Sequence, residues 1–174
     1  MGGGVTISAS PAIIAPKIHY FIVKGEVPWY SSYWKDKKLV TNIDESVSGQ
    51  ATVTCNTITD MYYMFFNLSN IASIDLSNFD TSNVTNMADM FALCPNLTTI
   101  DLSGFDTSKV TNMSFMFYNC SNLTTIKGTI DMTHCVSYHN MFDGCTKLKD
   151  VNIKNPPADL SDAKLSPSQY TIAS

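Results

Sequence analysis

The sequence predicts a β-rich solenoid: a short array of parallel strands with short helical or second-strand segments, preceded by a β-rich N-terminal cap region. Three observations predict it. Met64-Phe65 recurs as Met90-Phe91, Met116-Phe117 and Met141-Phe142, at spacings of 26, 26 and 25 residues. Residues 79–87 recur as residues 105–113 with one substitution, Asn83 becoming Lys109. The run Leu97-x-x-Ile100-x-Leu102 ends in the apolar–polar alternation of a half-buried strand. A fixed period of this length marks units that cannot bury their own apolar face, so neighbours must stack and pair.

Residues 1–55 do not fit the repeat and read as a β-rich cap or attachment region. Segments 5–8, 18–23 and 39–43 read as short strands, interrupted by Pro11, Pro16, Gly25 and Pro28. Trp29, Tyr30, Tyr33 and Trp34 form an aromatic cluster. It is a contact patch for a sugar ring or a partner, or a lid over the first repeat, whose apolar edge is otherwise exposed.

Residues 56–154 hold about 3.5 repeat units. Val110, Met113, Met116 and Phe117, spaced 3, 3 and 1, fit a helical turn facing the core, while Val-Thr-Asn also fits a brief second strand; both readings stay open. The Phe-Asp-Thr-Ser phrase between them supplies side-chain oxygens for backbone N–H groups at a turn. Stacking in register then makes ladders about 4.8 Å apart. Cys94, Cys120 and Cys145 share a slot with Leu68, which makes it an apolar slot for buried thiols. Disulfides between adjacent turns are disfavoured because stacked side chains point the same way, and no cysteine–histidine pair has zinc-finger spacing. Cys135 falls in the core slot of Val84 and Val110. Asp60, Asn86 and Asn112, closed by Ser137, read as inward-facing groups that satisfy backbone at a tight bend. Asp80, Asp106 and Asp131 read as turn caps; calcium is the alternative, without the Gly-rich signature of calcium-binding repeats.

The phrase Cys94-x-x-Leu97-x-x-Ile100-x-Leu102…Val110-x-x-Met113-x-x-Met116-Phe117-x-x-Cys120 resembles the BspA-like class of leucine-rich repeats. Residues 76–87 are similar to the 26-residue repeat of bacterial surface proteins, which also occurs in phages of gut bacteria. The resemblance covers residues 56–154. It implies a leucine-rich-repeat-like solenoid and a role at a surface, and it leaves the ligand unnamed. The last unit departs from the pattern: residues 129–138 replace the Phe-Asp-Thr-Ser-x-Val-Thr-Asn phrase, as capping units do. Residues 155–174 are polar, contain Pro156, Pro157 and Pro167, and read as an extended tail.

Composition excludes several function classes. The net charge is −4, and all eleven basic side chains are Lys; a nucleic-acid binder needs a basic face, and Arg is the favoured phosphate grip. No apolar run reaches the 18 residues of a membrane span, and the N-terminus lacks the basic start and apolar stretch of a signal peptide. The histidines, His19, His134 and His139, and the glutamates, Glu26 and Glu45, form no nucleophile or acid–base motif. No catalytic residue, metal or cofactor is therefore expected.

The expected binding surface is the solvent-facing column of the strands: Ser73 and Asp75; Thr98, Thr99 and Asp101; Thr124, Thr125 and Lys127; Lys149 and Asn152, with Asp150 beside them. It lacks the aromatic and Arg anchors of tight interfaces and suits weak, repeated contacts. Residues 56–106 carry six Asp and no Lys, whereas residues 107–154 carry three Asp and five Lys, which is surface scatter or a basis for head-to-tail docking. The functional expectation is a non-enzymatic recognition or adhesion module displayed outside the cell. Its partner would be a protein or a cell-surface glycan. The alternative is a phage virion component (fibre, tail or capsid decoration), contacting other virion proteins or further copies of itself and anchored through its terminal segments.

Overall fold

The structure, a computed structural model, describes residues 5–9, 19–24, 40–47, 50–55, 59–69, 71–74, 76 and 80–174. It is β-rich, with short parallel strands in small sheets and, among the described residues, no α-helix.

The first sheet holds β1 (Val5–Ala9), β2 (His19–Lys24), β3 (Val40–Val47), β4 (Gln50–Cys55) and β5 (Ile71–Ile74), in the order β3-β4-β2-β1-β5. The three strands expected before residue 55 are present within a few residues. The fourth, β4, was not expected, although Thr52, Val53 and Thr54 carry the β-branched side chains that favour strands. β1–β2, β2–β4 and β3–β4 pair antiparallel, whereas β5 pairs parallel with β1. Because β5 is the strand of the first repeat, the N-terminal sheet runs directly into the repeat region. It covers a strand edge that would otherwise be open.

Two ladders join successive repeats. The first is built from strands: β6 (Thr99–Asp101) pairs parallel with β7 (Thr125–Lys127), with Ile100 opposite Ile126. Thr125 bridges onward to Lys149. β8 (Thr129–Asp131) and β9 (Val151–Lys154) then pair in parallel. Gly128, between β7 and β8, sits at φ +88, and a Cβ there would come within 2.6 Å of the Ser103 nitrogen. Only glycine fits both constraints.

The second ladder runs through the segment read as a helical turn or a brief second strand, and here the structure corrects the helical reading. Each unit places two residues at positive φ: Tyr63 (59°), Asp89 (54°) and Phe115 (58°) in one slot, Asn67 (58°), Leu93 (59°) and Asn119 (56°) in the next. Left-handed residues at that interval cannot continue an α-helix; they direct alternate N–H groups at the following unit. Every N–H of residues 87–93 is thereby accounted for. Those of Met87, Asp89, Phe91 and Leu93 donate to the carbonyls of Asn112, Ser114, Met116 and Tyr118, while those of Met90 and Ala92 close turns on Met87 and Asp89. The remaining donor, on Ala88, is taken by Asn86 Oδ1 at 3.1 Å. Asp60 does the same for Tyr62 and Asn112 for Ser114. The second-strand reading survives as single parallel bridges along Asp60, Asn86, Asn112 and Ser137. Asp60 is exposed and the other three are half-buried, so these side chains are less inward than expected.

The core lies between the ladders. Phe65, Phe91, Phe117 and Phe142 stack with centroids 5.5, 5.4 and 5.6 Å apart and planes within 13°. The thiols of Cys94, Cys120 and Cys145 are buried and free, and each donates to the phenylalanine carbonyl of the preceding unit: Phe65 at 3.1 Å, Phe91 at 3.1 Å and Phe117 at 3.0 Å. Burial pushes the Cys94 and Cys120 thiols up to about 12 and raises Cys145 as well, which keeps all three protonated as donors. Cys135 is only partly buried, against the edge of the core. Thr81 and Thr107 are also buried, and each clamps the next unit: the hydroxyl of Thr107 donates to the Asp131 carbonyl at 3.1 Å and accepts from its N–H at 2.8 Å.

The expected extended tail is not extended. Leu160, Ala163 and Leu165 are buried, and the N–H groups of Asn140 and Phe142 donate to the carbonyls of Asp162 and Ala163. After one 3-10 turn at Pro167–Gln169, β10 (Tyr170–Ile172) pairs parallel with β9. The C-terminal segment thus continues both ladders past the degraded unit and covers the apolar faces of Met141 and Phe142.

Candidate binding surface

The strand ladder turns every second side chain to solvent. Thr98, Asp101, Thr124, Thr125, Lys127, Lys149 and Asn152 are exposed and Thr99 is half-exposed, while Ile100 and Ile126 point into the core. The pairing brings Asp101 directly opposite Lys127 and Thr99 opposite Thr125, and the Thr124 hydroxyl donates to the Thr98 carbonyl at 3.0 Å. The Asp101 carboxyl is held below the usual range by the Ser103 hydroxyl and N–H, with Lys127 adding to the effect. The expected column is therefore a continuous polar strip from β6 to β9. The side chain of Ser73 and the whole of Asp75 lie outside the described residues, as do Trp29, Tyr30, Tyr33 and Trp34.

A shallow depression of about 340 Å³, lined by Asn67, Ser69, Leu93, Pro95, Asn119 and Ser121, lies along the corner where the turn ladder ends. Its lining repeats at intervals of 26 residues, so it is a furrow between stacked turns. No local sequence signal marks it, because a groove of this kind is made by equivalent positions of neighbouring units.

The turn ladder carries a second surface that sequence reasoning missed. Tyr62, Tyr63 and Phe66 cluster on the first unit, with centroids 4.0 and 4.5 Å apart. Phe115, Tyr118 and His139 cluster further along, at 5.6 and 5.4 Å. Between them the second unit has Ala88, Asp89 and Ala92. Both alanines are buried, at 3% and 0% exposure, and Asp89 between them is half-exposed. The result is a partly exposed aromatic patch with one carboxylate, Asp89, at its centre. The available signal was substitution within the repeat: Asp89 and Ala92 stand where both neighbouring units have aromatics.

The three aspartates read as turn caps act in that way: Asp80, Asp106 and Asp131 accept from the N–H of Ser82, Ser108 and Thr133 at 3.0, 2.9 and 2.9 Å. Among the described residues, no three His, Cys, Asp or Glu side chains come together as a metal site, and no helix is long and apolar enough to cross a membrane.

The fold and these surfaces define a small β-rich repeat protein with two solvent-facing columns. Residues 35–155 match the family described as "Mycoplasma protein of unknown function, DUF285", and the chain belongs to that family. The match begins within the N-terminal sheet region, earlier than the repeat itself. No curated protein and no solved structure matches the chain.

Proposed function

We propose that the chain is a leucine-rich-repeat-like solenoid of the BspA-like class, acting as a non-enzymatic recognition module displayed at a bacterial or particle surface. The observation that carries this reading is the in-register polar strip of Thr98, Thr99, Asp101, Thr124, Thr125, Lys127, Lys149 and Asn152, exposed on consecutive strands. These side chains face solvent on consecutive strands at a regular spacing of about 4.8 Å. Such an array suits a repetitive partner, an extended polypeptide or a polysaccharide, through many weak contacts. Membership of the DUF285 family is compatible with a repeat protein of this kind.

The test is binding of the full chain to intact bacterial cells, purified wall polysaccharides and surface proteins. It is repeated with Asp101→Ala, Thr125→Ala and Lys127→Ala combined. Thr125→Ala and Lys127→Ala shift stability by only about 0.5 kcal/mol each, and loss of the Asp101 bond to the Ser103 N–H costs about 0.5–2 kcal/mol, so a thermal melt of the variant checks that it is folded. The reading predicts saturable binding that the triple variant weakens at least ten-fold. Binding that the variant leaves unchanged, or no binding to any surface tested, contradicts it.

A further inference from the structure

We propose that Tyr63, Asp89 and Phe115, one above the other on the turn ladder, form a binding site for an alkylammonium cation. The site lies on a different face from the polar strip and goes beyond the function proposed above.

Register carries the first part of the argument. The Tyr63 N–H donates to the Ala88 carbonyl at 3.2 Å and the Asp89 N–H to the Ser114 carbonyl at 2.9 Å. The three residues therefore occupy one column at φ values of 59°, 54° and 58°. Adjacent units stand about 4.8 Å apart, so Tyr63 and Phe115 flank Asp89 one unit to either side. Both rings are held: Tyr63 lies edge-on to Phe66 at 4.5 Å, and Phe115 is edge-on to Tyr118 and His139 at 5.6 and 5.4 Å.

The state of the carboxylate carries the second part. Asp60, Asp80, Asp101, Asp106, Asp131 and Asp159 each accept from the N–H two residues on. Asp89 does not, because the Phe91 N–H already donates to Met116. Among the described residues the Asp89 carboxylate has no hydrogen-bond or ion-pair partner, although it is half-buried, and burial raises its proton affinity. A half-buried carboxylate without a partner is costly and is relieved by a cation. Aromatic faces within about 6 Å attract the same cation. A neutral sugar would use the rings but not the charge. Six Asp and no Lys in residues 56–106 add a negative field that gathers cations from solution.

The experiment is an NMR titration of the full chain with choline chloride. Its neutral isostere 3,3-dimethylbutan-1-ol and sodium chloride at equal ionic strength are the controls, and butylammonium chloride is a second cation. The expected result is saturable shifts of the 63, 89 and 115 amide signals with the cations only. Asp89→Asn, which tolerates the same backbone conformation, should weaken binding at least ten-fold without lowering Tm, and Phe115→Leu should weaken it several-fold. Tighter binding of choline would assign a quaternary headgroup as the natural ligand, and tighter binding of butylammonium a lysine side chain. Equal shifts from the isostere, no shift from either cation, or unchanged binding in Asp89→Asn would overturn the site. None of these outcomes bears on the polar strip.

Discussion

Asp101 and Asp106 are held below the usual carboxylate value of 3.8 first by the hydroxyls of Ser103 and Ser108 and then by their N–H groups. Burial is the largest single influence at Asp131 and acts in the opposite direction, but the Thr133 hydroxyl and N–H, the Asn155 amide and Lys154 together outweigh it. A carboxyl whose proton affinity falls on folding stabilises the folded state above its unfolded value, and that stability is lost as the pH drops through the folded value. The turn caps should therefore leave Tm flat from about pH 7 to pH 5 and contribute a decline below about pH 4. Asp106→Asn keeps an acceptor oxygen but removes the titration, so thermal melts of this variant should show a shallower acid decline. An unchanged decline would mean that these carboxyls are not coupled to folding. At the apolar core, Phe91 contacts ring faces on both sides and is fully buried. Phe91→Ala should cost about 3–5 kcal/mol, measured by chemical denaturation.

At the scale of elements, the turn ladder explains what the sequence could and could not disclose. The ladders of Asp, Asn, Cys and Phe were legible because identical residues at a fixed period must coincide once units stack. The backbone between Met113 and Phe117 was not legible. Spacings of 3, 3 and 1 fit a helix as well as a string of turns, and nothing in the identities of Tyr63, Leu93 or Phe115 announces a positive φ; the bonds to the next unit impose it. The folded C-terminal segment was hidden for a different reason. Leu160, Ala163 and Leu165 are too sparse among prolines and polar residues to show a period. The clue was Asp159-x-Ser161, which repeats Asp106-x-Ser108 and makes the same bond, from the Ser161 N–H to Asp159 at 2.8 Å. Leu160→Ala decides whether that segment is structural. A packed cap predicts a loss of about 2–3 kcal/mol, seen as a lower Tm, whereas a loose tail predicts no change.

For the whole molecule, the units contact chiefly their neighbours, with the N-terminal sheet paired at one end through β1 and β5 and the C-terminal segment folded over the other. Such an array is modular: its stability is approximately a sum of unit and interface contributions, and an added unit strengthens it. The candidate surfaces follow from the same modularity. The polar strip was legible as alternation along the strands, while the patch around Asp89 appears only when three units are placed side by side. The most direct test is duplication of one complete unit, inserting a second copy of residues 87–112 after residue 112. The account predicts a cooperatively folding protein with a higher Tm. Each further unit extends the array by about 4.8 Å, and X-ray scattering should record that increase in maximum dimension. A duplicated chain that loses cooperative unfolding, or that folds with its added unit looped out and its length unchanged, would contradict it.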